Sequence, residues 1–330
     1  MKQYLLPEKG QFFKANLHSH TTLSDGHNTP EEMKDYYKEH GYSILAISDH
    51  ELLTDHSDLN DDNFLTITSY EYAFAEDKPY PFAKTIEFNL FAKDPHNTTQ
   101  VCFNPDYVSP RHRERANKIE FDGEPFVREY TIESMQKLID EAKKNGFLVS
   151  LNHPHYSMET PAFFGQLKGL FAMEIHNQGS YYCGDYNPQM YDQMLRMGHK
   201  ISCIAADDNH SARIYDDEVD KRPWGFSMIK AESLTYENVI KALENGDFYA
   251  TQGPEIHELY IEDGKVHITC SEAKRITMHT KYRHYKVLDA HPREVLTSAE
   301  FKLPEDDEYM RFSVIDAYGR TATTRAYFLK

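Results

Sequence analysis

Apolar stretches of strand length alternate with helix-type apolar patterns along the first 252 residues of the chain. An apolar stripe with a period near 3.6 residues, together with capping residues at both ends, indicates a helix. Four helices are predicted, between Thr29 and Gly41, Thr131 and Gly146, Asn187 and Gly198, and Thr235 and Gly246. Strands are predicted over residues 13–17, 43–48, 64–69, 86–92, 147–151, 171–175 and 201–206.

The alternation of strands and helices predicts a parallel sheet, either open or closed. Polar clusters follow the ends of five of the predicted strands. This arrangement favours a barrel-like α/β domain with its functional site on the carboxyl face of the strands. Residues 93–129 interrupt the pattern and contain Pro95, Pro105, Pro110 and Pro125, so we expect a long loop insertion beside that face.

The pattern changes after Pro254, where the helical periodicity ends. Residues 258–262 and 265–269 flank Asp263-Gly264, which is typical of a hairpin with a two-residue turn. Further strands are predicted over residues 275–280, 299–303, 310–315 and 321–329. We therefore predict an α/β domain over residues 1–254 and a small all-β, sandwich-like domain over residues 255–330.

Composition and charge restrict the partners of this chain. Its 330 residues include 36 Lys and Arg against 53 Asp and Glu, a formal net charge of −17. This excess of acidic residues argues against stable binding to nucleic acid or to an anionic membrane surface. No apolar run is long enough to span a membrane, and the N-terminus lacks the apolar core of a signal peptide, so we expect a cytoplasmic protein. The sequence does not indicate an oligomeric state.

Histidine is unusually frequent for an acidic protein, with 18 residues. His18 and His20 lie two apart on a predicted strand, so both side chains leave the same face, where two neutral imidazoles can chelate a metal ion. The carboxyl ends of the strands in a barrel lie around one mouth. Burying several titratable groups there is costly unless a cation compensates their charge. The segments with His, Asp or Glu after strands are 16–20, 49–50, 69–71, 152–155 and 206–210.

The motifs HxHTxxSDG, SDH, a strand-end Glu, NHPH and DDxH follow one another between residues 16 and 210. In this order they resemble the polymerase and histidinol phosphatase (PHP) superfamily, above all its stand-alone phosphoesterase branch. Residues 224–231, 243–246 and 249–254 also resemble members that carry a C-terminal β domain. The resemblance implies a distorted seven-stranded (β/α) barrel that holds two or three divalent ions.

The resemblance also implies which residues bind each ion. The first ion would have His18, His20, Glu71 and Asp208, the second would share Glu71 and take His153, and the third would have Asp25, His50 and His210. Members commonly supply a further histidine to the second ion, from the strand after the bridging glutamate. This chain has Glu87 there, which is either a ligand or a carboxylate outside the coordination sphere.

The candidate carboxylates also bear on the identity and number of the ions. If Glu87 coordinates, the harder donor set favours manganese or iron more than an all-histidine site would, with zinc as the third candidate. The four carboxylate ligands carry about −4, and a phosphate ester is itself an anion, so three divalent ions suit the site better than two.

No nucleophile motif is present, so a metal-bridged hydroxide is the expected nucleophile, because coordination lowers the pKa of water. His155 and His176 are candidates for donating a proton to the leaving oxygen, and hydrogen bonding or packing is the alternative for each. Asp49 and Asp207 are predicted to orient ligand imidazoles.

Three arginines are candidates for binding phosphate. Arg111 and Arg113 belong to the only basic run, in the insertion, which is either a solvated face or a lid over the substrate. Arg213 follows His210 by three residues and is an equal candidate by position.

The sequence thus favours a metal-dependent phosphoesterase acting on a small organic phosphate, such as a nucleotide or a sugar phosphate. A nuclease or exonuclease is one alternative, although the net charge of −17 argues against it. A catalytically inactive metal-binding scaffold is a second. Hydrolysis of a C–N bond, as in amidohydrolases with similar metal barrels, is a third and is disfavoured by motif order.

Overall fold

A computed structural model describes residues 2–79, 81–121, 123–211 and 225–329. Its strands are β1 (Gln3–Tyr4), β2 (Gln11–Asn16), β3 (Ile44–Ile47), β4 (Leu65–Ala75), β5 (Thr85–Ala92), β6 (Phe147–Leu151), β7 (Ala172–Asn177), β8 (Ser202–Ala206), β9 (Phe226–Ala231), β10 (Phe248–Thr251), β11 (Ile256–Glu262), β12 (Lys265–Ala273), β13 (Arg275–Thr280), β14 (Lys286–Asp289), β15 (Leu296–Lys302), β16 (Tyr309–Ile315), β17 (Thr321–Thr324) and β18 (Tyr327–Phe328). Its α-helices are α1 (Pro30–Glu39), α2 (Arg113–Ala116), α3 (Ile132–Lys144), α4 (Pro161–Phe164), α5 (Pro188–Arg196) and α6 (Tyr236–Asn245). Short 3-10 helices cover Ser57–Leu59, Pro105–Tyr107, Pro110–His112 and Gln178–Ser180.

The four long helices begin and end where the capping signals predict. The side chain of Thr29 accepts a hydrogen bond from the main-chain N–H of Glu32, and Glu32 returns one to Thr29, so the predicted capping box forms at the start of α1. In α3 the buried residues Met135, Leu138, Ile139 and Ala142 form one apolar stripe that packs in the main hydrophobic core.

From β2 to β8, the carboxyl ends of all strands except β5 lie at the same edge of the sheet. β2, β3 and β4 are parallel neighbours, and so are β6, β7 and β8. β5 runs antiparallel to both β4 and β6, so the prediction of a wholly parallel sheet is wrong at this strand. The physical reason is the short connection between Ala75 and Thr85, which suits a hairpin and is too short for a helical crossover.

The first and last of these strands approach each other. Residues just beyond β2 and β8 form a parallel bridge between Ser19 and Asn209, and the main-chain N–H of His20 donates to the carbonyl of Asn209 at 2.9 Å. β9, which the strand pattern did not predict, pairs antiparallel with β2 and continues the sheet to β10. The polar segments after β2 and β8 are therefore neighbours.

The C-terminal part is rich in β-structure, as predicted. In the turn between β11 and β12, Asp263 and Gly264 have φ of 49° and 73°, the pair of positive values that a two-residue type I′ turn requires. β1, β11, β12 and β15 form a four-stranded sheet, whereas β13, β14 and β16 join the large sheet through β17 and β10. β10, which precedes residue 254, is thus hydrogen-bonded to β17, which follows it. The domain boundary at residue 254 stays a prediction.

The predicted loop insertion, residues 93–129, is a packed layer with a small core of its own. Phe103, Val108 and Ala116 are buried together with Leu52, and Ile119 packs against them. Short helices, including α2, replace the expected irregular loop. Among the described helices, none has the length and apolar character needed to cross a bilayer.

Candidate metal centre

The buried carboxylate of Glu71 lies at the centre of a group of imidazoles. Its side chain is 1% exposed. Oε1 lies 3.2 Å from Nε2 of His18 and 3.4 Å from Nε2 of His153. Oε2 lies 3.2 Å from Nε2 of His20 and 3.3 Å from Nδ1 of His50. One carboxylate thus contacts four imidazoles from three separate segments, and a bridging ligand needs this kind of position.

A second carboxylate, Asp208, faces the same two histidines from the end of β8. Its Oδ1 lies 3.2 Å from Nε2 of both His18 and His20, whose Nε2 atoms are themselves 3.1 Å apart. The backbone of Asp208 has a φ of 52°, in the left-handed region that is unfavourable for a residue with a Cβ. Its main-chain N–H donates to the carbonyl of His18 at 3.1 Å, which fixes this conformation next to β2.

Asp25 forms the solvent-exposed side of the cluster. It lies 3.7 Å from His20, 3.7 Å from His50 and 3.5 Å from His210. We call His20, Asp25, His50 and His210 the outer group, because Asp25 is 54% exposed and His50 and His210 are about one third exposed.

Glu87, at the position that departs from the family pattern, joins the cluster from β5. Its Oε2 lies 3.3 Å from Nε2 of His153, and its carboxylate forms a possible ligand group with His50 and Glu71. Because β5 is antiparallel, Glu87 reaches the site from near the beginning of its strand. Burial and the negative charge of Glu71 raise the pKa of Glu87. A cation would lower the cost of its charged form.

All nine predicted metal ligands come together at this edge. Within each of four overlapping groups, one ligand atom from every residue lies within 4.8 Å of the others. The groups are His20, Asp25, His50 and His210; His18, His153 and Asp208; His18, His20 and Glu71; and His50, Glu71 and Glu87. Imidazole nitrogens and carboxylate oxygens at such distances can hold divalent metal ions.

The donor atoms fit bound cations better than they fit one another. Nδ1 of His20, which faces Asp25, is buried with no hydrogen-bond partner, and so is Oδ1 of Asp208 despite the two imidazoles close to it. Burial lowers the pKa of a histidine, but the surrounding carboxylates outweigh it here, raising the pKa of His20 to about 10 and that of His153 to about 9. Without metal, the site therefore holds protons between closely spaced carboxylates. Metal ions would take the place of these protons.

A carboxylate that the sequence analysis did not select supports two of the histidines. Oε1 of Glu174, on β7, lies 2.8 Å from Nδ1 of His18. Oε2 accepts hydrogen bonds from the main-chain N–H of His153 at 2.7 Å and from the side chain of Asn177 at 2.8 Å. A partner of this kind fixes the ring orientation of a metal-ligating histidine. In addition, Asn152 donates to Oε1 of Glu71 at 2.6 Å.

The two aspartates predicted to orient imidazoles hold other groups. Asp49 accepts from the main-chain N–H and the hydroxyl of Thr21, at 2.8 and 2.7 Å, and so fixes the segment after His20. Asp207 accepts from Asn16 at 2.6 Å and from the hydroxyl of Tyr37 at 2.7 Å. Burial raises the pKa of Asp207 to about 8.

The predicted proton donors lie beside the cluster. His155 is exposed, with its ring near Gly184. His176 is buried, with Nε2 3.2 Å from Asp185 and Nδ1 without a partner. Neither is among the described residues that line the cleft over the metal ligands. Their catalytic role stays a prediction.

The arginines predicted to bind phosphate are not in the described part of the cleft either. Arg111 and Arg113 are exposed on the insertion, and Arg113 pairs with Asp106 at 3.3 Å. Arg213 lies outside the described residues. The cleft has a volume of about 270 Å³, and beside the ligands it is lined by Thr85, Tyr156, Gly179, Ser180 and Tyr182.

Comparison with known proteins gives similar solved structures only. No protein-family model matches the sequence, and no curated protein does. A two-domain protein from Bacteroides vulgatus, described as containing a predicted PHP-like metal-dependent phosphoesterase, is 15% identical over 98% of each chain, with a TM-score of 0.49.

Two further structures are more distant. A protein from Bifidobacterium adolescentis, described as a metal-dependent phosphoesterase, is 15% identical, with 72% of this chain and 96% of that chain covered and a TM-score of 0.38. An amidohydrolase from Chromobacterium violaceum, with bound sulfate and no metal, is 15% identical, with 60% and 87% covered and a TM-score of 0.40.

Proposed function

We propose that this chain is a metal-dependent phosphoesterase of the PHP superfamily that hydrolyses a small organic phosphate. Its catalytic domain would be a distorted seven-stranded barrel formed by β2–β8, with the ligands at the carboxyl edge. The observation that carries this proposal is the convergence of nine metal-ligating side chains around Glu71 and Asp208. The order of their motifs along the chain is an independent support, because it is a property of the sequence alone.

The charge of the cleft supports an anionic substrate only if cations are bound. None of the described residues that line it is Lys or Arg, and four of them are Asp or Glu. With Glu174, five carboxylates lie in or against the cluster and carry a charge of about −5, so two divalent ions would leave it near −1 and three near +1. Only the positive site would attract an anionic ester. Bound divalent ions would lower the pKa of water and offset the negative charge of a phosphate group.

The residues of this chain contribute position and access. Glu174 fixes the ring of His18 and the backbone at His153, so the inner donors are held before a substrate binds. Tyr156 and Tyr182 are exposed at the mouth, where their rings can contact the organic part of an ester. The narrow cleft suits a phosphate group better than a polymer.

A phosphate-release screen tests this function. The metal-free chain would be loaded with manganese, zinc or iron in parallel and assayed with nucleotides and sugar phosphates. We expect release of phosphate from at least one small ester, with loss of the activity in Asp208→Asn. Degradation of single-stranded DNA in place of small esters would favour the nuclease. Metal binding without any hydrolysis would favour the scaffold, and cleavage of amides alone would favour the amidohydrolase.

Elemental analysis tests the number of ions separately. We expect two to three equivalents per chain in the active preparation. A value below two in active protein would contradict the proposed polynuclear centre.

A further inference from the structure

Asp25, the most exposed of the nine candidate ligands, belongs to a segment without regular secondary structure. We call residues 21–28 the Asp25 loop. Main-chain hydrogen bonds from Ser24 and Gly26 to the carbonyl of Thr21, at 3.0 and 2.9 Å, close the loop on itself. Asp49 holds its inner side, because it accepts from the hydroxyls of Thr21 and Ser24 at 2.7 Å each. The position of Asp25 on the exposed side then depends on what holds the main chain just before it.

The insertion supplies hydrogen bonds to this loop from outside. Nε2 of His112 lies 2.7 Å from the carbonyl oxygen of Ser24, the residue directly before Asp25. A carbonyl oxygen only accepts, so this nitrogen carries the proton and donates. Arg115 donates to the carbonyl of Leu23 at 3.4 Å and to the hydroxyl of Thr54 at 2.6 Å. The basic run thus directs two of its side chains at the loop rather than at the cleft.

The insertion is itself anchored close to a second outer ligand. The guanidinium of Arg128 forms a buried bidentate ion pair with Glu51, the residue after His50, and also donates to the carbonyl of Ala73 at 2.8 Å. Gln100 donates to the carbonyl of Glu51 at 2.8 Å and accepts from the N–H of Leu53 at 3.0 Å. These buried contacts make the insertion a firm support for the Asp25 loop.

We propose that the insertion, residues 93–129, is a clamp that holds the Asp25 loop and thereby sets the affinity of the outer group for its metal ion. This inference rests on the metal centre of the proposed function. A ligand that is in position for only part of the time lowers the apparent affinity by that fraction. The inner ligands, buried in β4 and in the segments after β2 and β6, do not depend on the Asp25 loop in this way.

The experiment is a titration of the metal-free protein with manganese chloride alone. His112→Ala removes the donor to Ser24, and His112→Gln restores an N–H at a similar reach. Lys118→Ala removes an exposed positive charge from the same insertion and serves as the control. Asp25→Asn marks the ion that belongs to the outer group. The measurement is the number of manganese ions per chain and the affinity of each.

We expect His112→Ala to weaken the ion that Asp25→Asn also weakens, by about tenfold, and to leave the other ions unchanged. His112→Gln should recover most of this loss, and Lys118→Ala should match the parent. A parent-like titration for His112→Ala, or an equal loss at every ion, would overturn the clamp. A parent protein that binds no manganese, and no zinc or iron in the same titration, would instead overturn the proposed function.

Discussion

Replacing Glu174 by glutamine tests whether the support behind the centre determines its metal affinity. The carboxylate accepts from three groups: Nδ1 of His18 at 2.8 Å, the N–H of His153 at 2.7 Å and the side chain of Asn177 at 2.8 Å. Because it accepts from Nδ1, the neutral ring of His18 leaves the Nε2 lone pair directed at Glu71. Glutamine keeps the size of the side chain and retains only one accepting oxygen.

Either orientation of the new amide is unfavourable. If its oxygen faces His18, its NH₂ group faces two donors, the N–H of His153 and the amide of Asn177. If its oxygen faces those donors, its NH₂ group requires an accepting Nδ1. The ring of His18 must then carry its proton on Nε2, the atom that would bind the ion.

The size of the effect follows from these contacts. Removing the partner of a metal-ligating histidine costs about 10- to 100-fold in metal affinity, or about 1.4–2.7 kcal/mol. A buried donor left without an acceptor costs about 1–3 kcal/mol, which agrees with this range. We therefore expect calorimetric titration with manganese to show a loss of about 10- to 100-fold in affinity at the ion that His18 would bind.

Asp307→Asn is the matched control. Asp307 is a buried carboxylate that accepts from Nδ1 of His284 at 3.0 Å and from the main-chain N–H groups of Lys281 and Tyr282, far along the chain from the metal ligands. Its replacement should lower the melting temperature without a change in manganese affinity. The reasoning is refuted if Glu174→Gln binds manganese like the parent, or if Asp307→Asn weakens binding to the same extent.

Three further predictions concern separate parts of the molecule. His18→Ala and Asp208→Asn should each lower the turnover of any ester identified in the screen more than about a hundredfold while circular dichroism stays that of the parent, since each removes a central donor. Burial and nearby guanidinium groups lower the pKa of His279 to about 3, below the unfolded value of about 6.5. As the pH falls below 6.5, the unfolded chain takes up a proton that folded His279 does not, so the free energy of unfolding decreases. In urea unfolding of the metal-free protein, the free energy of unfolding should fall by about 2 kcal/mol more between pH 7 and pH 5 in the parent than in His279→Gln. Equal decreases would contradict the lowered pKa of His279. Gly225→Ala should destabilise the fold by about 1–3 kcal/mol in thermal unfolding, because at a φ of 75° its Cβ would lie 2.1 Å from Nδ1 of His176; an unchanged melting temperature would argue against this packing.

The regular elements and the candidate ligands were predictable because their signals are local. The capping box at Thr29 and the apolar stripe of α3 are determined by residues a few positions apart. Most of the ligands follow strand ends, and the geometry of parallel strands brings such ends together. Asp25, in a loop, and Glu87, near the start of β5, were predicted as ligands only from the family resemblance. Glu71 shows the limit of this reasoning, because it lies inside β4, which continues to Ala75, rather than after its end.

The supporting contacts had no local signal. Glu174 and His18 are 156 positions apart, and the MEIHN sequence around Glu174 showed a strand-end histidine more clearly than the buried carboxylate. The direction of β5 likewise depends on a hairpin connection that the apolar pattern does not report. The insertion looked irregular because its prolines break regular structure, while its order comes from long-range contacts such as Arg128 with Glu51.

Exposure divides the centre into parts that should behave differently. His18, Glu71 and His153 are almost completely buried, and Glu174 and Asn152 hold His18 and Glu71 from outside the cluster, whereas the outer group reaches solvent through Asp25. An ion in the outer group would therefore be more open to exchange with solution than an ion held by His18, Glu71 and His153. Under the proposed function, the same exposure would also place that ion nearest to an arriving phosphate. The affinity of the outer group, and hence the contacts of the Asp25 loop, would then determine how much of the protein is competent for catalysis at a given metal concentration.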